Sequence, residues 1–105
     1  MPRCMETVVT MRESSLERRL VREVERIGGI AAKWVSPGNR GVPDRIVILP
    51  NGQTVFVEMK APGKPLAPLQ QKWAKTLRAM GHAVYKIDSD ESIDRFIEEV
   101  TKCES

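Results

Sequence analysis

The chain has 105 residues, with 17 Lys and Arg against 14 Asp and Glu and a formal net charge of +3. This length supports one domain with a single core, and it is too short to enclose a sizeable cofactor unaided, so any functional site should be open or shared. No apolar run is long enough to span a membrane and no secretory signal peptide is visible, which argues against a membrane protein and against secretion.

The charge is distributed unevenly along the chain. Residues 1–87 carry 15 Lys and Arg against 7 acids, a net +8, whereas residues 88–105 carry 2 against 7, a net −5. A basic body favours a polyanionic partner, although many ordinary proteins share such a balance. Cys4 and Cys103 lie near opposite ends and His82 is the one histidine, so the sequence contains no zinc-ligand set and predicts a reducing, cytoplasmic environment.

The first predicted element is a helix that begins at Ser14 and ends at Gly28-Gly29. Its apolar residues recur at near four-residue spacing and are Leu16, Leu20, Val24 and Ile27. Residues 1–13 lack this periodicity and are assigned to an N-terminal arm, which leaves residues 14–105 as the single domain.

Glu17, near the start of this helix, has two interpretations. It lies three positions after Ser14 and would complete a capping box at the helix N-terminus. It also shares a helical face with Val21 and Val24, which points it towards the edge of the core, where an acid could approach a metal ion. Both interpretations are open at this point.

A short strand at Ile30–Val35 leads into a loop, Ser36–Gly41, that is too rich in Gly and Pro for regular structure. Beyond it, two runs of strand-forming residues, Arg45–Leu49 and Gln53–Lys60, flank Pro50-Asn51-Gly52. This tripeptide suits a three-residue hairpin loop.

The three-residue loop places Leu49 opposite Gln53 and therefore Asp44 opposite Glu58. Because side chains alternate along a strand, Lys60 lies on the same face as Glu58, about 7 Å further along. A two-residue turn would shift the pairing by one residue and put the two carboxylates on opposite faces.

Apolar residues occupy both faces of this hairpin, which predicts central strands covered on both sides. One face carries Ile46, Ile48 and Phe56, and the other carries Val47, Leu49, Val55 and Val57. Buried strands rarely admit charges without a use, so Asp44, Glu58 and Lys60 call for an explanation. The structural alternative is that these three form an ion-paired trio.

A second helix begins at Pro68 and ends before Gly81. Its predicted buried stripe consists of Leu69, Trp73, Leu77 and Met80. Gln70 flanks this stripe near the helix start. A basic face, usually only solvated but suited to a phosphate backbone, is formed by Gln71, Lys72, Lys75 and Arg78.

His82–Ile87 reads as a further strand, and a last helix begins around Ser89–Glu91. The apolar side of that helix consists of Ile93, Phe96, Ile97 and Val100. The predicted order is helix, three strands, helix, strand, helix, which defines an α/β fold.

Two adjacent carboxylates on rigid strands favour a hard divalent ion such as Mg²⁺ or Mn²⁺, with the backbone carbonyl of Met59 as a further ligand. Such an ion polarises a phosphodiester and lowers the pKa of a bound water. Lys60 could orient that water or stabilise charge on the phosphate.

Glu17, Pro43-Asp44 and Glu58-Met59-Lys60 together resemble the motif of the PD-(D/E)XK nuclease superfamily. GVPDR, VEMKA and the Gln of KPLAPLQ are more closely similar to the VRR-NUC group, named for virus-type replication and repair nucleases. The resemblance implies a restriction-endonuclease-like αβββαβ core with a central mixed sheet flanked by helices.

The same resemblance implies a role for each matching residue. Asp44 and Glu58 would be metal ligands and Lys60 catalytic. Glu17 would be an outer-sphere metal partner and Gln70 a supporting site residue. With these roles the chain is expected to be a Mg²⁺- or Mn²⁺-dependent endonuclease that acts on DNA.

Compact members of this group are typical of phages and prophages, so the resemblance implies a bacterial cell or a phage-infected host. It also implies branched DNA as the substrate and a homodimer similar to Holliday-junction resolvases. Val8, Val9 and Met11 could pack across the dyad. The expected DNA contacts are Arg40, Lys64, Lys72 and Lys75. The alternative is a non-catalytic nucleic-acid-binding module in which the Asp/Glu/Lys set is only an ion-paired core.

Overall fold

The computed structural model describes the backbone of residues 2–102 and the side chains of residues 14–102. The elements are α1 (Pro2–Arg26), β1 (Ile30–Lys33), β2 (Arg45–Ile48), β3 (Thr54–Met59), α2 (Pro68–Ala79), β4 (Val84–Ile87) and α3 (Asp90–Lys102). This order confirms the predicted α/β fold class. Across residues 2–102, no helix is both long enough and apolar enough to cross a membrane.

The four strands form one mixed sheet in the order β1-β2-β3-β4. The β1–β2 and β2–β3 pairs are antiparallel, and the β3–β4 pair is parallel. Parallel neighbours need a crossover connection, and α2 supplies it. This helix therefore packs over β3 and β4, at one side of the sheet.

The hairpin of β2 and β3 has the predicted pairing. Ile46 lies opposite Phe56, and Arg45 lies opposite Val57. The Leu49 N–H donates to the Gln53 carbonyl at 2.9 Å, and the Gly52 N–H donates to the Leu49 carbonyl at 3.1 Å. Gly52 has a φ of 91°, the left-handed conformation that closes a three-residue loop. The loop chemistry therefore sets the register on which the site depends.

The sheet is covered by helices on both faces. On one face, α1 and α3 pack around a core that includes Leu20, Val57 and Phe96. On the other face, α2 places Ala74 and Leu77 against Phe56 and Val84. From Val55 to Met59, every residue of β3 is buried, which confirms the prediction of a strand covered on both sides.

Burial on both sides does not extend to all of β2. Ile48, at the end of this strand, is 45% exposed. Its face of the sheet is the one that α2 covers, but α2 packs over β3 and β4 and leaves this end of β2 open. The predicted burial of Ile48 is therefore wrong.

Helix α1 begins much earlier than predicted. It starts at Pro2, so residues 2–13, assigned to an arm, continue the helix, although their side chains, including those of Val8, Val9 and Met11, lie outside the described residues. Ser14 is consequently an internal helical residue. The capping-box interpretation of Glu17 is wrong, because no helix N-terminus exists at Ser14 for that box to cap.

Helix α2 presents a different face to the sheet from the predicted one. Ala74 and Leu77 are buried and Trp73 is half-buried, whereas Leu69 and Met80 are 48% and 69% exposed. Gln70, Trp73, Ala74 and Leu77 follow the i, i+3, i+4, i+7 spacing of a single helical face. The predicted stripe was therefore displaced by about one residue, and the correction turns Gln70 towards the sheet.

We predict that Leu77→Ala lowers the free energy of unfolding by about 2–4 kcal/mol, because it removes a buried side chain and leaves a cavity beneath α2. Met80→Ala, at the exposed C-terminal end of the same helix, should cost less than about 1 kcal/mol. Urea unfolding followed by circular dichroism measures both. Equal losses for the two variants would contradict this orientation of α2.

Candidate active site

Asp44 is the last residue before β2, and two hydrogen bonds fix its position. Its Oδ2 accepts a hydrogen bond from the Met59 backbone N–H at 2.7 Å, across the hairpin. Its own carbonyl accepts from the Trp34 N–H at 3.0 Å, which ties it to the residue following β1. Pro43, immediately before it, is fully buried. The Met59 contact therefore holds the Asp44 carboxylate against β3, and the Trp34 contact holds its backbone beside the residue after β1.

Glu58, the second-last residue of β3, is fully buried, with 0% of its surface exposed. Its Oε1 accepts a long hydrogen bond from Gln70 Nε2 at 3.5 Å. Its Oε2 is buried and has no hydrogen-bond partner. Burying a polar oxygen without a partner costs about 1–3 kcal/mol, and more for a charged group, so this oxygen needs either a proton, which the Glu58 carboxyl can share with the Asp44 carboxylate, or a cation.

The surroundings of Glu58 alter its protonation. Burial raises the pKa of its carboxyl to about 8, the nearby Asp44 carboxylate adds to the rise, and Lys60 acts in the opposite direction. The Asp44 carboxylate is thus close enough to oppose the ionisation of Glu58, as the predicted register requires. At neutral pH the pair needs either a proton or an added cation.

Lys60 follows β3 and continues its pairing with β4, because the Lys60 N–H donates to the Ile87 carbonyl at 2.9 Å. Its side chain is half-buried. Among side chains 14–102, none of the ion pairs within 4.0 Å includes Asp44, Glu58 or Lys60. The alternative of an ion-paired trio therefore lacks its defining contacts.

Gln70 connects the start of α2 to the site. Its Oε1 accepts a hydrogen bond from the Ala67 N–H at 2.8 Å, while its Nε2 reaches Glu58. The loop before Asp44 also touches this turn of the helix: a Cβ added to Gly41, which has a φ of 87°, would lie 2.7 Å from the Leu69 carbonyl carbon. Glycine therefore permits the close approach that brings the loop and the helix together beside Glu58.

Glu17 is held by a partner that the sequence analysis missed. Arg45, the residue after Asp44, donates to Glu17 Oε2 from Nη2 at 2.9 Å and from Nε at 3.1 Å. It also donates from Nη1 to the Ala31 carbonyl at 2.9 Å. The arginine of the GVPDR segment was the one feature of the sequence that could have indicated this ion pair. This pair joins α1 to the start of β2.

The structure does not bring Glu17 to Asp44 and Glu58 as a third carboxylate. Within the part of the chain that is described, no three His, Cys, Asp or Glu side chains converge to hold a metal ion. The Asp44 and Glu58 carboxylates lie close together. Glu17 is instead bound to Arg45, the chain neighbour of Asp44.

The four expected DNA contacts lie in two loops and on helix α2. Arg40 and Lys72 line one pocket, between the loop that follows β1 and helix α2. Lys64 is exposed in the loop that follows β3, and Lys75 is exposed on α2 without lining that pocket. Arg78, counted in the basic face, instead donates to the Val84 carbonyl at 2.7 Å.

A mixed sheet whose hairpin brings an Asp beside a Glu-X-Lys segment, with a Gln from the following helix, defines a nuclease of the PD-(D/E)XK type. The sequence profile of the VRR-NUC domain matches residues 3–91, and the chain belongs to this family. A solved structure described as a VRR-NUC domain aligns with a TM-score of 0.79 and 31% identity, covering 83% of this chain and 95% of the other.

A curated relative comes from a phage. It is the protein named "Putative nuclease p44" from Acyrthosiphon pisum secondary endosymbiont phage 1. It is 56% identical over 81 residues, which cover 77% of this chain and 87% of the relative. The match covers most of both proteins, so the similarity extends beyond the short motif to the fold that positions it.

We predict that Glu58→Gln stabilises the metal-free protein at alkaline pH. An unfolded glutamate ionises near its ordinary pKa of 4.5, whereas folded Glu58 keeps its proton up to about 8. The folded state therefore binds more protons across this window, and the free energy of unfolding of the wild type falls as pH rises from about 4.5 to about 8. The rise is about 3.5 pKa units and one unit corresponds to about 1.4 kcal/mol, so the expected advantage of the variant above the upper end is at most about 5 kcal/mol.

Urea unfolding in excess chelator at the two ends of this pH window measures the effect. Glu25→Gln, at an exposed position of α1, is the matched control and should show no pH-dependent gain. A Glu58→Gln protein that is less stable than the wild type at alkaline pH would show instead that Glu58 is an ionised partner in a stabilising pair.

Proposed function

We propose that this nuclease domain is a Mg²⁺- or Mn²⁺-dependent endonuclease that hydrolyses phosphodiesters in branched DNA. The observation that carries the proposal is the buried Glu58 carboxyl, whose Oε2 has no partner and which lies beside Asp44. A protein gains nothing in stability from this arrangement, so we infer that it is maintained for its chemistry.

The donor set fits a hard divalent cation. Asp44 and Glu58 would hold it through carboxylate oxygens, which are the ligands that Mg²⁺ and Mn²⁺ prefer, and the Met59 carbonyl is the further proposed ligand. A divalent cation beside the two carboxylates would offset both the free-energy cost of burying an ionised Glu58 and its repulsion from Asp44. When bound, such an ion polarises the phosphodiester and lowers the pKa of a coordinated water.

Lys60 is the proposed catalytic cation. It has no carboxylate within ion-pairing distance among the described side chains, so its ammonium is available to a substrate. During hydrolysis a water adds to phosphorus and one P–O bond breaks, while negative charge grows on the phosphate oxygens. Lys60 stabilises that charge and orients the water.

Gln70 and Glu17 are proposed to act through other residues. Gln70 donates to Glu58 Oε1 and is itself fixed by Ala67, so it restricts the orientation of the carboxyl group. Glu17 is the proposed outer-sphere partner, and its contact with Arg45 fixes it next to the segment that carries Asp44. Both residues thereby favour one geometry of the two ligands.

The proposed substrate follows from charge and from the relatives. The stretch 1–87 has 15 basic residues against 7 acids, which favours a polyanion, and the phage relative is named as a nuclease. Arg40, Lys64, Lys72 and Lys75 are the proposed phosphate contacts. A two-fold homodimer would present two such surfaces and two sites to a branched substrate of similar symmetry.

We predict that Asp44→Asn, Glu58→Gln and Lys60→Ala each lower the rate of DNA cleavage at least about 100-fold, because each removes charge used in the site. Binding to DNA in chelator should change little. Cleavage of a labelled junction in Mg²⁺ or Mn²⁺ gives the rates, and Lys33→Ala, an exposed lysine on β1, is the charge-matched control. Undiminished wild-type cleavage in excess chelator would remove the metal-dependent mechanism.

We further predict that the protein sediments at about twice its chain mass at micromolar concentration and cuts a cruciform plasmid by paired nicks across the junction. Linearisation in one binding event reports two coordinated sites. A monomer that nicks linear duplex as readily as a junction would leave the hydrolytic chemistry in place and end the proposal of a dimeric, branch-directed enzyme.

A further inference from the structure

A pocket of about 510 Å³ lies between helix α2 and the loop that follows β1. Its lining includes Arg40 from the loop and Leu69, Lys72 and Trp73 from the helix. The volume falls within the range of about 300–1,000 Å³ found for small-ligand sites. The pocket is therefore large enough for a single nucleotide.

The electrostatics of this pocket are positive. Arg40 and Lys72 form none of the ion pairs found among side chains 14–102, and no Asp or Glu lines the pocket. Two cations that face the same space without a counter-charge favour an anionic ligand, and phosphate is the anion that Arg and Lys commonly bind.

Trp73 gives the same pocket an aromatic wall. Its ring meets Trp34 edge-on at a centroid distance of 5.8 Å, and Trp34 packs on Phe56 at 5.4 Å. These contacts hold the indole in place, while part of its surface and the 48% exposed Leu69 remain open to solvent. A fixed, partly exposed indole is suited to stacking with a nucleobase.

The pocket adjoins the candidate active site through the chain itself. Leu69 is followed by Gln70, whose side chain donates to Glu58. On the other wall, Arg40 is followed by Gly41, which touches Leu69, and the chain then runs directly to Asp44. Both walls of the pocket therefore continue into residues of the site.

We propose that this pocket receives an unpaired nucleotide of the DNA strand beside the scissile phosphodiester, with its base against Trp73 and its phosphates near Arg40 and Lys72. The inference rests on the proposed nuclease function and deepens it by naming what is recognised in a branch. A base within a duplex is stacked and paired, so it cannot enter without an unstacking cost, whereas an already single-stranded base in a flap or splayed arm enters without the cost of breaking a pair.

The test compares binding of two labelled DNAs in excess chelator, where cleavage does not interfere. One is a fully paired duplex, and the other is a splayed-arm DNA with the same number of nucleotides and phosphates. The wild type should bind the splayed-arm DNA at least about fivefold more tightly, which is the lower end of the contribution of one stacked base. Arg40→Ala and Lys72→Ala should each reduce this ratio.

Lys75→Ala is the matched control, because Lys75 is an exposed lysine of the same helix that does not line the pocket. It should weaken binding to both DNAs by the same factor and leave the ratio unchanged. Equal effects of Lys72→Ala and Lys75→Ala on the ratio would show general attraction to phosphate and overturn the pocket proposal.

Base stacking is tested separately. Replacing the unpaired bases by abasic sugars keeps every phosphate, and it should abolish the preference of the wild type for the splayed arm. Trp73→Leu should show the same loss on intact DNA. If circular dichroism shows that Trp73→Leu does not fold, the abasic substrate still tests the proposal with the wild-type protein. An unchanged preference for the abasic splayed arm would contradict a base-binding pocket.

The outcomes for the pocket and for catalysis are distinguishable. A wild type that prefers unpaired DNA but never cleaves it in Mg²⁺ or Mn²⁺ would support the pocket and end the proposed nuclease function. A wild type that cleaves branched DNA but binds the paired and splayed DNAs equally would support the nuclease and end the pocket proposal.

Discussion

The close approach of two carboxyl groups, that of the fully buried Glu58 on β3 and that of Asp44 across the hairpin, is the constraint on which the rest of the structure depends. This arrangement is unfavourable for the ionised carboxylate, as the raised pKa of about 8 for Glu58 shows. The proposed metal site requires that ionised form. The sheet, the Gly52 turn and the close approach at Gly41 all hold these two carboxyl groups together. The stability of the surrounding core offsets the unfavourable free energy of the site.

The hairpin could be predicted from sequence because its determinants are local. The tripeptide Pro50-Asn51-Gly52 selects a loop length, loop length selects the register, and alternation along a strand then decides which side chains share a face. The pairing of Ile46 with Phe56 confirms each of these steps. The family resemblance was readable for the same reason, since the Pro43-Asp44 and Glu58-Met59-Lys60 parts of its motif lie at the end of this one hairpin opposite the turn.

Other features depend on contacts between distant segments, and the sequence analysis missed them. The face of α2 had two candidate stripes, and packing against Phe56 and Val84 selects the one that contains Gln70 and Ala74. Arg45 and Glu17 are 28 positions apart, so no local sequence pattern predicts their ion pair. Likewise, the missing partner of Glu58 Oε2 is visible only when every neighbouring donor has been placed.

Helix α2 joins the two activities proposed for the molecule. Gln70 faces the sheet and reaches Glu58, while Lys72 and Trp73 line the pocket formed with the loop that leads to Asp44. A bound strand would therefore touch the same helix that orients Glu58, the proposed metal ligand. A chain of this length is expected to have an open site. Such a site is compatible with these two roles of α2, because the bound substrate itself can exclude water from the site.

The central claim is that Asp44 and Glu58 hold a divalent cation, and anomalous X-ray scattering from a crystal soaked in Mn²⁺ tests it most directly. The account predicts a Mn²⁺ peak within about 2.0–2.4 Å of oxygens from both carboxylates, including Glu58 Oε2. The same crystal form of Glu58→Gln should show no peak there. Wild-type density without the ion, with the Lys60 ammonium bridging the two carboxylates, would contradict it.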